Sequence, residues 1–359
     1  MKILDRYLVR EMAGPFVFGV LAFVLLFVSA NVLLELMELV TQLGLSLWSA
    51  GVLFVLRLPG FLVYTFPLAT LVAILVAFGR LSGDSELVAM HAGGVSFRRL
   101  AAPLLIVGLA ISVVTAALSE AVAPAANRRA EAIVREAAEQ AGRVQERDVL
   151  LKDMAAGELA RVIYAERLDV ATGEMVRPTI TWYREGRPTL VTVAERALWE
   201  GNDWKLIRGE NYLLSLERPA SQSFETSVMR FPTSPQQISQ RARRPEEMTY
   251  WELREYIRYA LEQQRETVKL EITLHQRFSI PFACFVFALI APPLGMRSHR
   301  GSSAIGMGVA IMIGFGYYVL WHYLAAVAQR GYVSPFWAAW LPNVVGAAVG
   351  VALILRVRR

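Results

Sequence analysis

The sequence is poor in the residues that build disulfide-stabilised or metal-binding folds. Of its 359 residues, one is a cysteine, Cys284, and four are histidines. One cysteine excludes a disulfide framework within the chain. The histidines, His91, His275, His299 and His322, are too scattered for the spacing of metal ligands. The sequence therefore predicts no metal site, and no cofactor bound by this chain.

The sequence also lacks the short motifs of the common enzyme classes. It has no Gly-x-x-x-x-Gly-Lys-Ser/Thr loop for nucleotide phosphates, no Gly-x-Ser-x-Gly elbow and no His-Glu-x-x-His helix. We therefore predict no catalytic residue, and any ATP and Mg²⁺ have to act through a partner ATPase.

The chain has a net positive charge, but the positions of its basic residues exclude nucleic acid as the partner. The net charge is +6 and the pI is about 9.5. The polar segment 124–271 is nearly neutral, with 23 Lys or Arg against 24 Asp or Glu. The excess lies in short loops beside hydrophobic runs, where basic residues set membrane orientation.

Long apolar runs are abundant, and 55% of the residues are hydrophobic. A helix needs roughly 20 apolar residues to cross a bilayer. Six segments qualify as transmembrane helices: 15–40, 51–79, 99–122, 278–296, 303–327 and 335–355. The first is longer than the apolar core of a signal peptide, about 7–15 residues, so we expect it to be retained.

Basic residues predict the orientation of these helices. Arg330 is the one basic residue in the short loops 41–50 and 328–334, whereas eleven flank the other ends of the runs. Both termini are therefore predicted to be cytoplasmic. The eleven are Lys2, Arg6, Arg10, Arg80, Arg98, Arg99, Arg297, Arg300, Arg356, Arg358 and Arg359.

The polar middle of the chain then lies outside the cytoplasm. Residues 124–147 are predicted to be helical, 148–240 to be β, and 246–271 to return to helix, with Thr249 and Glu252 forming a capping box. Turn signals such as Glu185-Gly186 and Gly201-Asn202-Asp203 separate short β-rich runs, which suggests a sandwich or jelly-roll. The six runs are Arg161–Leu168, Pro178–Tyr183, Thr189–Val193, Trp204–Ile207, Tyr212–Leu216 and Ser227–Phe231.

The predicted fold is an α-helical membrane protein with six transmembrane helices and an inserted extracytoplasmic all-β, jelly-roll-like domain. Residues 1–123 hold the first three helices, 124–271 the periplasmic domain with its β core at about 148–240, and 272–359 the last three helices.

The most informative cytoplasmic segment lies between the second and third predicted spans. Asp84 or Ser85 can cap a short helix over 86–92, and Gly93-Gly94 can end it. Leu87, Met90 and His91 would share one face. Residues 83–94 then form either an interfacial helix on lipid headgroups or a coupling helix docked into a nucleotide-binding subunit.

Several stretches resemble the LptF/LptG (YjgP/YjgQ) permease family, in order along the whole chain. They are Leu4-Asp-Arg-Tyr-Leu-Val-Arg, Ser85-Glu-Leu-Val-Ala-Met-His-Ala-Gly-Gly, Trp251-Glu-Leu-Arg-Glu-Tyr-Ile followed by Leu274–Leu294, Gly314-Phe-Gly-Tyr-Tyr, Pro335 and Trp340-Leu-Pro-Asn.

The resemblance implies a permease subunit of a lipopolysaccharide-export ABC transporter in the bacterial inner membrane. Its implied partners are a cytoplasmic LptB-like ATPase, a second LptF/LptG-type permease, periplasmic LptC/LptA-like jelly-roll proteins and lipopolysaccharide itself. Glu86 stands where the family's coupling helix carries a glutamate that meets the ATPase, so we expect ATPase coupling through Glu86, with Leu87, Met90 and His91 beside it.

Charges at the outer ends of the spans are candidate lipid contacts. Glu35 and Glu38 share a helix face, and we expect Arg57 to pair with one of them or each to reach the interface separately. The family often has cations near this part of the first helix, where this chain has glutamates. Arg128 and Arg129 are therefore the better candidates for lipid phosphates, or else a solvated helix end paired with Glu131 and Glu136.

Small residues recur every four positions on the fifth helix, at Gly306, Ala310 and Gly314, and on the sixth, at Gly346 and Gly350. This spacing lets helices approach closely. It indicates internal packing or, as the resemblance implies, a lateral gate against a second subunit.

Two other functions stay open at this point. One is the permease of another envelope-lipid or lipoprotein-releasing ABC system, whose subunits usually have four spans with the domain after the first. The other is a non-transport membrane sensor with a ligand-binding β domain. The resemblance also leaves open an LptF-like subunit, an LptG-like subunit or a homodimer.

Overall fold

The computed structural model describes residues 3–27, 32–140, 145–155, 158–170, 172–184, 187–201, 203–214, 220–229, 234–235, 245–262, 266–296 and 303–357. The chain divides into two compact units. One comprises Met1–Met37, Trp48–Ala130 and Glu246–Arg359, and the other comprises Glu38–Leu47 and Glu131–Pro245.

Helices make up most of the first unit and short parts of the second. Their bounds are α1 Ile3–Phe27, α2 Leu33–Leu43, α3 Leu47–Gly83, α4 Glu86–Ala92, α5 Phe97–Ala117, α6 Ala123–Gln140, α7 Tyr250–Glu262, α8 Val268–Met296, α9 Ser303–Gln329 and α10 Pro335–Arg356. A π-helical turn, Leu118–Val122, joins α5 to α6, and a 3₁₀ turn, Pro245–Glu247, precedes α7.

Six helical segments of the described chain are long and apolar enough to cross a membrane, which confirms the predicted number. They are Ile3–Phe27, Leu47–Gly83, Phe97–Ala138, Val268–Met296, Met307–Gln329 and Pro335–Arg356.

The predicted first span, 15–40, begins too late. The helix α1 runs from Ile3 to Phe27 and α2 begins at Leu33, and residues 28–31 between them lie outside the described part of the chain. The polar first turns can belong to α1 because ion pairs offset their charges, as in the pair of Asp5 with Arg99. Glu35 and Glu38 lie on α2.

The third span continues out of the apolar zone as one rod, as the Ala/Arg/Glu-rich sequence predicts. It passes from α5 through the π turn into α6 without a break. Its predicted end at residue 147 is wrong, because the helix stops at Gln140 and the first strand already includes Gln145.

The core of the helical unit is built from α1, α3, α4, α5, α8 and α9. Close approach of the helices depends on small residues. A Cβ placed on Gly108 of α5 would lie 2.4 Å from the Cβ of Ala288 on α8. Gly346 and Gly350 of α10 likewise lie against Val286 and Leu289 of α8, so these two glycines serve internal packing.

The described strands of the second unit form one seven-stranded antiparallel sheet. The order is β1-β2-β3-β5-β6-β7, and β4 pairs with both β2 and β5. The strands are β1 Gln145–Ala155, β2 Glu158–Asp169, β3 Glu174–Val176, β4 Thr179–Arg184, β5 Arg187–Glu200, β6 Asp203–Leu213 and β7 Ala220–Met229.

The inserted β-rich region is therefore confirmed, with corrections to its strands. The run predicted at 204–207 and the beginning of the run predicted at 212–216 belong to one strand, β6, which ends at Leu213; residues 215–216 lie outside the described part of the chain. β1 and β3 are absent from the six predicted runs, although residues 148–155 of β1 lie in the predicted β segment and only 145–147 in the predicted helix, and β3 has three residues. The turn Glu185-Gly186 and Asn202 lie outside the described residues.

One face of the sheet buries a single apolar cluster around Trp204, whose ring lies 5.2 Å from that of Trp199. Alternation along the strands supplies the cluster, since Val149 and Leu151 of β1 are both buried, as are Ile163 and Ala165 of β2. The predicted β core is accordingly an antiparallel sheet that buries apolar side chains on one face.

The predicted return helix 246–271 is two helices. α7 ends at Glu262, and α8 begins at Val268 after the non-helical Thr267. The capping box at the start of α7 is confirmed. The Thr249 backbone N–H donates to Glu252 at 2.8 Å, and the Glu252 N–H donates to the Thr249 hydroxyl at 3.4 Å.

Candidate functional site

The short helix α4 has the bounds that its glycines predict. Ser85 occupies the N-cap position in the left-handed region, at φ 61°, without a side-chain cap. At the other end the Val95 N–H donates to the Met90 carbonyl at 3.0 Å and the Gly94 N–H to that of His91 at 2.9 Å. With Gly94 at φ 83°, this is a Schellman motif, which stops the helix sharply.

One side of α4 belongs to the protein's own core. Leu87 is 2% exposed and packs among buried residues of α1, α3 and α5, with Met90 partly buried beside it. Val88 is 54% exposed, and Ala89 and Ala92 are also exposed. The apolar surface that α4 offers to a partner is therefore centred on Val88, whereas the sequence pattern pointed to Leu87.

Polar contacts fix the two other predicted members of this site. The Tyr7 hydroxyl donates to Oε2 of Glu86 at 2.7 Å. His91 Nδ1 lies 2.8 Å from the Val95 carbonyl oxygen, which can only accept, so Nδ1 carries the proton.

The first three turns of α1 hold the helices on either side of α4. Asp5 pairs with Arg99 of α5 at 2.6 Å, and Glu11 pairs with Arg80 of α3. Together with the Tyr7 contact, α1 is bonded to α3, α4 and α5. Sequence reasoning missed these partners, although Asp5 and Tyr7 lie in the opening stretch that resembles the LptF/LptG family.

The predicted ion pair between Arg57 and a glutamate is present. Arg57 Nη2 lies 3.0 Å from Oε1 of Glu35, so of the two candidates Glu35 is the observed partner. Glu38 is exposed on the same short helix. The pair links α2 to the beginning of α3, and both side chains keep some access to solvent, so its contribution to stability is small.

A second polar cluster, which the sequence did not reveal, lies where the chain leaves and rejoins the spans. We call it the junction and define it as Glu120, Arg128, Tyr250, Glu252 and Arg277. Arg277 of α8 is 9% exposed, and its guanidinium lies 3.5 Å from Oε2 of Glu120.

Backbone groups complete the junction. Arg277 also donates to the carbonyls of Ser119, at 3.4 Å, and Met248. The Tyr250 N–H at the start of α7 donates to Oε1 of Glu120 at 2.6 Å. Glu120 sits on the π turn, a feature that often marks functional positions.

The candidate lipid ligands Arg128 and Arg129 have different surroundings. Arg128 Nη1 lies 3.4 Å from Oε2 of Glu252 and 3.3 Å from the Glu247 carbonyl oxygen, so it belongs to the junction. Arg129 is exposed. Glu131, one of the carboxylates proposed to pair with them, is buried.

The helical unit contains an apolar cavity of about 480 Å³ bordered by α1, α3 and α9. Aromatic rings dominate its lining, which includes Phe23, Phe61, Phe315 and Trp321. Gly314 is among the lining residues, and a Cβ there would lie 2.3 Å from Leu68 Cδ2. Gly314 and the buried Ala310 therefore make contacts inside the chain, and Gly306 lies in the first turn of the same helix.

The β-rich unit has a groove of about 820 Å³ of mixed character. Tyr164, Val193 and Phe224 line it together with charged side chains, and Arg208 there pairs with Glu195 at 2.8 Å. At its edge the Tyr212 hydroxyl donates to Glu210 at 2.6 Å, which raises the pKa of Tyr212. A surface that is apolar and charged side by side suits an amphiphile.

Among the described residues no group of three or more His, Cys, Asp or Glu side chains could hold a metal ion. Cys284 is buried in the helical unit.

A comparison with protein-family models gives one match that spans nearly the whole chain. The model is described as lipopolysaccharide export system permease LptF/LptG, and it matches residues 6–356. No curated protein matches the sequence.

Proposed function

Because the chain belongs to the LptF/LptG family of lipopolysaccharide export permeases, we propose that it is the membrane subunit of an ABC transporter. In this proposal it extracts lipopolysaccharide from the inner membrane and passes it to a periplasmic bridge. A separate cytoplasmic LptB-like ATPase supplies the energy, with ATP and Mg²⁺ bound by that partner.

The observation that carries this proposal is the construction of α4. A lever that transmits the motion of an ATPase must be short, sharply ended and firmly attached, since a loose segment would absorb the motion. α4 has seven residues, ends in a Schellman motif, and is anchored by Leu87 and by the bond from Tyr7 to Glu86. These features favour a coupling helix over a helix that only rests on headgroups.

The apolar cavity and the mixed groove support an amphiphilic cargo. Acyl chains need an apolar lining such as that of Phe23, Phe61 and Trp321, and a phosphorylated sugar needs polar partners such as those in the β-rich unit. A soluble substrate would need neither in this form. We infer a second LptF/LptG-type permease as the partner in the membrane, and periplasmic LptC/LptA-like proteins as acceptors.

The proposed orientation has both termini in the cytoplasm and the β-rich unit in the periplasm. It rests on the eleven basic residues at one set of helix ends against Arg330 at the other. Five of the eleven, Lys2, Arg297, Arg300, Arg358 and Arg359, lie outside the described residues, so this argument comes from the sequence alone.

Two exposed valines provide a matched test of the coupling helix. Val88 on α4 is 54% exposed and Val228 on β7 is 63% exposed. We expect Val88→Arg to abolish co-purification of an ATPase with the full-length protein, because a charge would enter the apolar contact. Val228→Arg should leave co-purification unchanged. Equal capture by both variants would contradict the assignment of α4.

The cargo needs a separate experiment, since an ATPase would also accompany the permease of another envelope-lipid or lipoprotein system. Depletion of the protein in its source cells should cause newly made lipopolysaccharide to accumulate in the inner membrane. If lipoproteins accumulate there instead, the alternative permease is correct. If neither accumulates and no ATPase co-purifies, the sensor alternative is favoured.

A further inference from the structure

Helix α7 has one face turned into the protein and one face turned out. Five described residues of α7 are exposed; four of them follow the helical spacing of three, four and three positions and form one stripe, with Glu255 beside it. Their residue types are aromatic, basic, basic and aliphatic, and all four are exposed. We call this set the α7 stripe: Trp251, Arg254, Arg258 and Leu261. The inward residues are Leu253, Tyr256, Ile257 and Ala260, all buried.

The start of α7 lies level with the end of a membrane span. The Tyr250 ring centroid is 5.3 Å from that of Phe278 on α8. Phe278 opens a run without charged residues that continues to Met296, whereas Arg277 directly precedes it. Trp251, whose ring is 5.2 Å from that of Tyr250, is therefore at the boundary between apolar and polar surroundings.

From this level α7 runs away from the hydrocarbon. The helix α7 ends at Glu262, and the first three turns of α8, from Val268, lead the chain to Phe278. At 1.5 Å per residue, Arg254 lies about 4–5 Å and Arg258 about 10 Å farther along the helix than Trp251. The headgroup region on each side of a bilayer is roughly 5–8 Å thick, which places Arg254 within it and Arg258 just beyond it, where the long arginine side chain can reach back to the headgroups.

The stripe is complementary in charge to that layer. The Arg254 guanidinium lies over the Trp251 ring at 5.8 Å, and the Arg258 guanidinium lies over the Tyr259 ring at 5.2 Å. One carboxylate, Glu255, is within 3.9 Å of Arg258. Two guanidinium groups against one carboxylate leave a positive balance, and arginine is well suited to binding phosphate oxygens. Tryptophan is enriched at the membrane interface.

We propose that the α7 stripe docks on the anionic phospholipid headgroups of the leaflet at this end of the spans. Trp251 lies in the interface, and Arg254 and Arg258 bind lipid phosphates. The stripe thereby holds the helical hairpin of α7 and α8 at a fixed depth. This inference requires the membrane assignment alone and is independent of the cargo and of the ATPase.

Lipid retention by the purified full-length protein tests the charge part of the proposal. In mixed micelles with equal phosphatidylglycerol and phosphatidylcholine, native mass spectrometry should show bound phosphatidylglycerol on the wild type. Arg254→Gln with Arg258→Gln should lower it, by about fivefold for each arginine. Arg184→Gln with Arg187→Gln, two exposed arginines of the β-rich unit, is the matched control. Equal retention by both double variants would overturn the proposal.

Depth in the bilayer tests the position of the stripe. A nitroxide attached at Trp251→Cys in reconstituted protein should collide more with oxygen than with a water-soluble nickel reagent. The same label at Val228→Cys should show the reverse. A water-like signal at residue 251 would also overturn the proposal, as would a stripe variant that alters association between protein copies but not lipid retention. None of these outcomes bears on lipopolysaccharide export.

Discussion

Tyr7 and Glu86 illustrate how one hydrogen bond can decide the stiffness of a small element. The Tyr7 hydroxyl is the donor that α1 offers to α4. We expect Tyr7→Phe to lower stability by about 1 kcal/mol, the lower end for a bond to a charged group, because the contact is half-exposed. Stimulation of the partner ATPase should fall as well, since α4 loses part of its anchorage.

Thermal unfolding in detergent and the ATPase rate of the reconstituted complex measure the two effects. Tyr332→Phe is the control, because that side chain is exposed and its hydroxyl has no hydrogen bond in the described part of the chain. If Tyr7→Phe and Tyr332→Phe behave alike, the contact between α1 and α4 does not stiffen the lever.

Arg277 is the residue on which the junction depends. Arg277→Gln would leave the Glu120 carboxylate and two backbone carbonyls without their charged donor in a largely buried place. Breaking a buried pair by removing one partner costs roughly 3–5 kcal/mol. We expect the lower end of that range, because Glu120 retains the Tyr250 N–H.

Thermal unfolding of the purified protein measures this loss, and Arg330→Gln in an exposed loop provides the control. Restoration by the additional change Glu120→Gln would confirm that an unpaired carboxylate causes the loss. Stability of Arg277→Gln equal to that of the control would exclude the junction as a structural support.

At the scale of helices, close packing requires glycine at positions where a neighbouring helix leaves no space for a side chain. Gly108→Ala would bring a methyl group against Ala288 and the Cys284 carbonyl, both on α8, so that α5 and α8 would have to separate. We expect a loss of about 1–3 kcal/mol, typical of overpacking in a tight core. Gly60→Ala on α3 meets no atom within 4 Å and should be neutral or stabilising by up to about 1 kcal/mol.

The midpoints of thermal unfolding of the two variants in one detergent compare these effects directly. The change is the same in both, so helix propensity cancels and the difference reports packing alone. A Gly108→Ala protein as stable as Gly60→Ala would show that α5 and α8 are not held at this distance.

Elements with a strong local signal were predictable, and those that depend on distant partners were not. The Gly93-Gly94 pair and the Thr249-x-x-Glu252 pattern predicted the end of α4 and the start of α7, because a cap is made within four residues. The start of α1 at Ile3 was missed, since its polar turns are stabilised by Arg99 and Arg80, far along the chain. Hydropathy alone predicted that these polar turns lie outside the first transmembrane helix.

The same distinction applies to the functional residues. The pairing of Arg57 with one of two glutamates could be predicted, because all three lie near neighbouring helix ends. The junction could not, because Glu120 and Arg277 are 157 residues apart in sequence. The available signals were a glutamate inside the predicted third span and an arginine just before the fourth.

At the scale of the whole molecule, the proposed transport requires that α4 and the β-rich unit face opposite sides of the membrane. Cys284 is buried, so an introduced cysteine should be the reactive thiol. In intact spheroplasts a membrane-impermeant maleimide should label Val228→Cys. It should label Val88→Cys only after lysis. Labelling of both without lysis would refute the orientation and the coupling helix together.

The attachment of α1 also has a consequence for biosynthesis. This helix leaves the ribosome before α4 and α5, yet Tyr7 finds Glu86, and Asp5 finds Arg99, only after roughly 80 to 95 further residues have been translated. Until then α1 enters the bilayer with unsatisfied carboxylates near its amino end. Insertion of α1 and completion of its contacts are therefore separate events in time.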